Sequence, residues 1–447
     1  MRVGFATRTI TVPPGAPMGG YAFREGVSAG TLDPLTVSAI TWFDGTHRVA
    51  LALLDVICVN ADLTRAARAA VSGGSCFDVL WVAASHTHAG PETGCVPGGT
   101  ATPPEWLARL TTDIAETVAV ARDAEVETTG RVHSGLLHGV GAVRSQPAGE
   151  ASVPLDVVEV VAGGRRTGVL VVLPVHPTVL PSDNLLVSAD LTGAVRRALT
   201  DRLEPGTWVA VATGAAGDIS TRRTRQGQDS AELDRLGALV ADRCLSLLGD
   251  GVPAWSAGST VAWRRRELTL DAKPPVDAYA LIAAAERDIR DATDPISVRI
   301  AEGVLDGARW AASLLPDAPH STERGGRARR DIRDNVPSHT VRDRVIPDIA
   351  QELPIAAEVA ALRIGDVLLA GLPGEPFLTA ATQLHPAIVL GYTNAYPGYL
   401  PPETAYADAT YEVLASAAAP GCAELITAAA ADLIRELTQP WQAEGAK

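Results

Sequence analysis

Lysine is almost absent from this chain: only Lys273 and Lys447 occur, and the other 38 − 2 = 36 basic residues are arginines. With 52 acidic residues the formal net charge is 38 − 52 = −14. That deficit of positive charge argues against a nucleic-acid partner held through phosphate contacts, which needs a basic face. It also disfavours docking on anionic membranes by charge alone. Cysteine is scarce too, and Cys58, Cys76, Cys95, Cys244 and Cys422 are odd in number with no Cys-x-x-Cys spacing. A disulfide framework or a cysteine zinc cluster does not fit that pattern. No run approaches the roughly 18 apolar residues of a transmembrane helix. Behind Arg2 the chain reads VGFATRTITVPPGAP, without the apolar core of a secretory leader. These absences predict a cytoplasmic protein, with neither nucleic acid nor stable membrane insertion among its interactions. Nothing in the sequence reports the oligomeric state.

What is present is ordinary globular material: 447 residues, 47% hydrophobic and 20% charged. The first half alternates strand and helix patterns. Val37 to Phe43 and Arg48 to Ile57 are apolar and β-branched around an Asp44-Gly45 turn, a hairpin signal. Asn60 is placed to cap a short helix, and Phe77 to Ala84 reads as a buried strand. Pro103-Pro104 opens a long amphipathic helix. Strands are expected near 130–137, 155–161, 168–174 and 207–213, with Asp190 as the N-cap of a helix between the last two. Two alanine-rich helical patterns, 277–290 and 296–315, are separated by Asp294-Pro295. The charged stretch 319–335 around Gly325-Gly326 reads as a loop. Strand patterning returns at 355–364 and 367–372, followed by a helical tail. No linker interrupts the chain. The expected class is α/β, with mixed β-sheets flanked by helices. Residues 1–447 would form a single catalytic domain, with a helical insertion and Arg-rich loop at 273–350.

The chemistry-bearing residues stand at strand ends. Ser85-His86-Thr87-His88-Ala89-Gly90-Pro91 follows a buried strand, and in an extended segment residues i and i+2 share a face. That puts two imidazoles at the carboxyl edge of a sheet, where α/β proteins bind ligands. His176 follows the apolar run Val169 to Leu173, and Glu375 follows another strand on the turn Pro373-Gly374-Glu375-Pro376. Two histidines and one glutamate from three strand ends form the donor set of an open zinc site. The turn Gly214 to Ser220 offers small residues for close substrate approach. Its Asp218 and Ser220 are equally readable as turn or cap residues, and it is not a Gly-x-Ser-x-Gly elbow.

Taken in order, several landmarks resemble the catalytic domain of the neutral, non-lysosomal ceramidase family, zinc amidases that hydrolyse N-acylsphingosine. They are PPGAPMGGY at 13–21, SHTHAGP at 85–91, HPT…SDN…SADLTG from His176 to Gly193, AAGDIS at 215–220, PGEPF at 373–377 and GYTNAYPGYL…YADATYE from Gly391 to Glu412. The resemblance implies zinc held by His86, His176, Glu375 and Tyr399. It implies His88 as a site histidine, Arg144 as a substrate-facing cation and Ser220 as the serine often named the nucleophile. Tyr411 matches the tyrosine that polarises the amide carbonyl. An imidazole such as His88 suits general acid–base work near neutral pH.

One departure stands out: Ser220 is followed by Thr221-Arg222-Arg223 where the family has Pro-Asn, which brings cations beside the pocket. With no leader and no further C-terminal domain expected, membrane ceramide is not the expected substrate. The sequence therefore predicts a zinc-dependent hydrolase acting on linear amide C–N bonds of a small-molecule N-acyl amide, by zinc-activated water or serine attack, in specialised metabolism. Two alternatives stay open: acyl transfer or cyclisation at the same zinc site, and a zinc-stabilised binding protein without turnover.

Overall fold

The Asp44-Gly45 turn closes an antiparallel hairpin between Leu35–Phe43 and Arg48–Leu54, with Val37 opposite Leu54 and Phe43 opposite Arg48. This computed structural model describes residues 1–22, 24–72, 77–95, 101–146, 151–249, 251–313 and 355–439. The strand Arg2–Ile10 pairs antiparallel with the first arm of the hairpin. After the second arm the chain crosses over through helix Ala61–Ser72 and returns as Val79–Ala84, parallel to Arg48–Leu54. A second helix, Pro104–Asp123, then packs on the sheet.

The same order occurs twice more. Thr129–His138 pairs with Ser152–Ala162, which turns at Gly163-Gly164 into Arg165–Leu173; helix Asp190–Thr200 then leads to Trp208–Thr213, parallel to Arg165–Leu173. Helix Ser230–Leu247 covers that sheet. In the third unit Val261–Leu270 pairs with Ile355–Ile364, which turns at Gly365-Asp366 into Val367–Gly371. Helix Leu378–Leu384 leads to the parallel strand Ile388–Leu390, and helix Cys422–Thr438 covers the sheet. The described residues thus form three copies of one strand–hairpin–helix–strand–helix unit. The units share this topology while their loops differ in length. The longest departure separates the first two strands of the third unit. There lie helices Ala278–Asp291 and Pro295–Ser313, near the expected helical patterns. The Arg-rich loop at 319–335 falls outside the described residues.

Alternation along the strands explains how the units assemble. In Val79–Ala84, Leu80, Val82 and Ala84 face the helices Ala61–Ser72 and Pro104–Asp123. Val79, Trp81 and Ala83 face a central core that also takes Leu170, Val172, Ala210 and Ala212 from the second sheet and Leu362, Leu369, Ile388 and Leu390 from the third. Val79–Ala84, Trp208–Thr213 and the end of Arg165–Leu173 are buried on both faces and read as continuous apolar runs. The three parallel pairs converge at their carboxyl ends, where Gly391 N donates to Thr213 O at 3.0 Å and Asn394 N to Val82 O at 2.7 Å.

A buried polar knot ties the first and third units. Arg68 grips Glu358 with two bonds of 2.7 Å, and Asn394 Nδ2 donates to the same carboxylate at 2.8 Å while its Oδ1 accepts from Val82 N. Glu358→Ala leaves Arg68 Nη1 and Nη2 and Asn394 Nδ2 without their acceptor, while Arg68 Nε keeps Leu80 O. The expected cost is about 3 kcal/mol or more, read by chemical denaturation.

Candidate metal centre and active site

His86 lies two residues past Val79–Ala84 in a left-handed conformation, φ 63°, uncommon outside glycine. Two bonds hold it there: Ser85 N donates to Leu54 O at 2.8 Å and His86 N to Val56 O at 3.0 Å. The pairing of His86 with His88 therefore comes from this turn and not from an extended segment. It nonetheless brings the two Nε2 atoms to 3.3 Å.

From the second unit, His176 Nε2 lies 3.1 Å from His86 Nε2. From the third, Glu375 Oε2 lies 3.3 Å from the Nε2 of both His86 and His176. Each of those two imidazoles is locked by a backbone carbonyl, His86 Nδ1 to Ile57 O at 2.6 Å and His176 Nδ1 to Ala216 O at 2.9 Å. Their protons therefore sit on Nδ1, and the Nε2 lone pairs point at one another. Burial first, then the positive charge of Arg144, hold His176 well below the usual histidine range. Burial, followed by His86, Arg24 and Arg144, does the same to His88. Neutral imidazoles with facing lone pairs repel unless a cation lies between them. One nitrogen from each of His86, His88 and His176 lies within 4.8 Å of the others. Glu375 Oε2 accepts no hydrogen bond from the described residues. This nitrogen–oxygen donor set suits zinc.

The backbone around these groups is tied as tightly. Glu375 and Tyr399 are register partners in a short parallel pair, Glu375–Pro376 with Tyr399–Leu400. The Tyr399 hydroxyl is 3.5 Å from His176 Nε2. Burial raises Tyr399 well above the usual phenol range, and Arg144 pulls in the opposite direction. Arg144 is largely committed: Nη2 donates to Tyr399 Oη at 3.0 Å and to Gly217 O at 2.9 Å, and Nε donates to Glu412. Its guanidinium lies 5.5 Å from the ring centre of Tyr411, whose ring stands edge-on to Tyr399 at 5.8 Å. Ser220 takes up the cap reading, and Asp218 instead reaches the first amide of helix Leu378–Leu384 across the chain. Asp218 accepts from Leu378 N at 2.8 Å, and Ser220 Oγ accepts from Arg222 N at 3.2 Å. Ser220 also bridges to His176 through the backbone.

Other participants carried little signal in the sequence. Tyr396 donates to Glu375 Oε1 at 2.5 Å, and Glu412 is the carboxylate that holds Arg144. Asp190 is not the N-cap expected of it. It is the first residue of its helix, at φ 51°, and its carboxylate accepts from Val179 N and Leu180 N at 3.0 Å each. It thereby pins the segment that follows His176. Arg24 donates to His88 O at 2.7 Å, Gly19 O at 3.0 Å and Ser182 O at 3.1 Å.

Gly20, at φ 98°, lies so close to the His88 side chain that an added Cβ would meet its Cγ at 2.6 Å. Gly20→Ala is expected to displace His88 and lower kcat about 10- to 100-fold, the scale of a misplaced catalytic group. Zinc content should stay near that of the wild type. Zinc lost together with activity would instead make His88 an indispensable ligand.

No protein-family model matches the sequence, and no curated protein matches it. Among solved structures, the chain aligns with a ceramidase complexed with C2 at a TM-score of 0.72 and 18% identity, covering 100% of this chain and 77% of that one. A neutral ceramidase from Pseudomonas aeruginosa aligns equally well, at TM-score 0.72 and 17% identity, with 76% of its chain covered. The fold is that of the neutral ceramidases. The α/β architecture with helix-flanked mixed sheets read from the sequence holds. Among the described residues no helix is long and apolar enough to cross a membrane.

Proposed function

We propose that the protein is a zinc-dependent amide hydrolase that cleaves an N-acyl or other small amide in place of membrane ceramide. The observation that carries this reading is the convergence of the His86, His88 and His176 nitrogens with Glu375 Oε2 at one buried point. His86, His176 and Glu375 would hold the ion, with Tyr399 beside them as the oxygen donor that would complete the set. Bound there, zinc acts as a Lewis acid and lowers the pKa of its water to about 7.

The remaining side chains divide the other tasks. His88 Nδ1, unlike those of His86 and His176, has no hydrogen-bond partner among the described residues. Its tautomer is therefore not locked, which suits a group that takes a proton from the attacking water and returns it to the leaving amine. The Tyr411 hydroxyl donates to the carbonyl oxygen as negative charge develops there, a contribution of about 3 kcal/mol for a well-placed donor. Arg144 positions Tyr399 and supplies positive charge. A serine nucleophile needs an adjacent base. The Ser220 hydroxyl caps a helical turn and, among the described residues, has no imidazole or carboxylate hydrogen-bond partner, so attack by water is favoured over acylation of Ser220.

The test is zinc content together with acid release from a panel of N-acyl amides that includes a short-chain ceramide. About one zinc per chain with cleavage of soluble amides is the expected result. Zinc without cleavage, or product formed only when an acceptor amine is added, would replace hydrolysis by acyl transfer or cyclisation. A folded protein without zinc would overturn the reading.

A further inference from the structure

The turn that Ser220 caps, Thr221–Arg223, starts beside the metal centre, since Ser220 bridges to His176. Two guanidinium groups leave this part of the chain, and the charge of Arg222 acts on Arg225. Arg225 Nη1 donates to Thr178 O at 2.9 Å, two residues beyond His176. Arg222 reaches helix Pro295–Ser313, where a Cβ on Gly303 would lie 3.1 Å from Arg222 Nη1 and 4.0 Å from Tyr411 Cβ. A third cation joins them from helix Pro295–Ser313: Arg299 Nη1 donates to Arg222 O at 3.1 Å, and Arg222 Nη1 returns a bond to Arg299 O at 3.4 Å.

Among the described residues, none of the three has a carboxylate within the 4.0 Å of an ion pair. The acids nearby are already engaged. Asp190 binds the amides of Val179, Leu180 and Leu191, and Glu412 pairs with Arg144. Asp306 faces Arg222 from the helix without reaching ion-pair distance. Arg222 and Arg225 are half-buried, and burial together with neighbouring arginines disfavours the charge on each. Holding such cations together unpaired costs desolvation and mutual repulsion. A ligand anion removes both costs, and a guanidinium edge matches the planar oxygens of a carboxylate.

We propose that Arg222 and Arg225 form an anion subsite at the mouth of the metal centre, and that the substrate is an amide bearing a carboxylate. This rests on the amidase reading. The carboxylate belongs either to the amine portion or to the acyl portion, and two matched pairs separate these. One pair is N-hexanoylglycine and N-hexanoylglycinamide; the other is the mono-hexylamide of succinic acid and its methyl ester.

With the zinc-loaded full chain, one charged substrate is expected to exceed its neutral partner about 10- to 100-fold in kcat/KM, the range of a charge-assisted hydrogen bond. That ratio should shrink toward one in Arg222→Gln and in Arg225→Gln, recover partly in Arg222→Lys, and fall with added salt. A ratio near one for both pairs in the wild type overturns the subsite without any variant, as does a ratio that neither substitution changes. Zinc-loaded protein that cleaves none of the four sinks the amidase reading instead. Calorimetry then decides the subsite alone: tighter binding of a charged compound than of its neutral partner, lost in Arg222→Gln, upholds it, and equal binding in both pairs refutes it.

Discussion

His176→Ala is expected to abolish stoichiometric zinc binding and to lower amide hydrolysis by a factor on the order of 10³ or more. The residue is fully buried, its Nδ1 is held by Ala216 O, and its Nε2 lies among the other donors at 3.1 Å from His86 and 3.3 Å from Glu375. Removing it takes away one donor and leaves Glu375 Oε2 with a single imidazole at ion-pair distance, that of His86. The metal link is separable from simple damage to the core by adding a chelator. An ion bound to the native state raises stability by RT ln(1 + [L]/Kd), so chelation should lower the melting temperature of the wild type and leave that of His176→Ala unmoved. Zinc would be counted by elemental analysis of both proteins. Retention of near-stoichiometric zinc by the variant, or a wild-type melting temperature indifferent to chelation, would remove His176 from the centre.

The sequence made the strand-end residues readable because buried parallel strands leave a clear mark, a short apolar run followed at once by a polar turn. His86 and His88 after Val79–Ala84, His176 after Arg165–Leu173 and Glu375 after Val367–Gly371 all stand at such boundaries. The meeting of those boundaries was not readable. Trp81 and Val82 are equally apolar, yet one faces the central core and the other the helix layer, so hydropathy gives no clue that three sheets share an interior. Backbone-directed roles were hidden as well. Arg24 donates to the carbonyls of His88, Gly19 and Ser182, and carbonyls are the same in every sequence. Asp190 looked like a cap by position and proved to be an anchor for the loop after His176. Arg225, two residues beyond the expected Arg222-Arg223 pair, reaches Thr178 O after His176, a contact that the spacing does not show.

Arg144 and Glu412 offer the sharpest separation of stability from catalysis. Both are buried, at 8% and 1% exposure, and the ion pair between them lies under Tyr399 and Tyr411. Glu412→Leu should destabilise the protein by about 3 to 5 kcal/mol, because it strands a buried guanidinium, whereas replacing both partners by apolar residues is often neutral. The double variant Arg144→Met with Glu412→Leu is therefore expected to unfold near the wild-type denaturant midpoint. Its activity should not return. Tyr399 loses the donor at 3.0 Å that fixes its hydroxyl beside His176, and the positive charge beside the carbonyl's developing oxyanion is gone, for an expected loss of about 10² to 10³ in kcat/KM. Denaturation midpoints and kinetics on the same preparations distinguish the cases. A double variant as unstable as Glu412→Leu would mean that the pair also supports the helix Tyr411–Ala415 through packing. A double variant as active as the wild type would show that the pair serves the fold alone, and that Tyr399 and Tyr411 are held by their ring contacts without the charge beneath them.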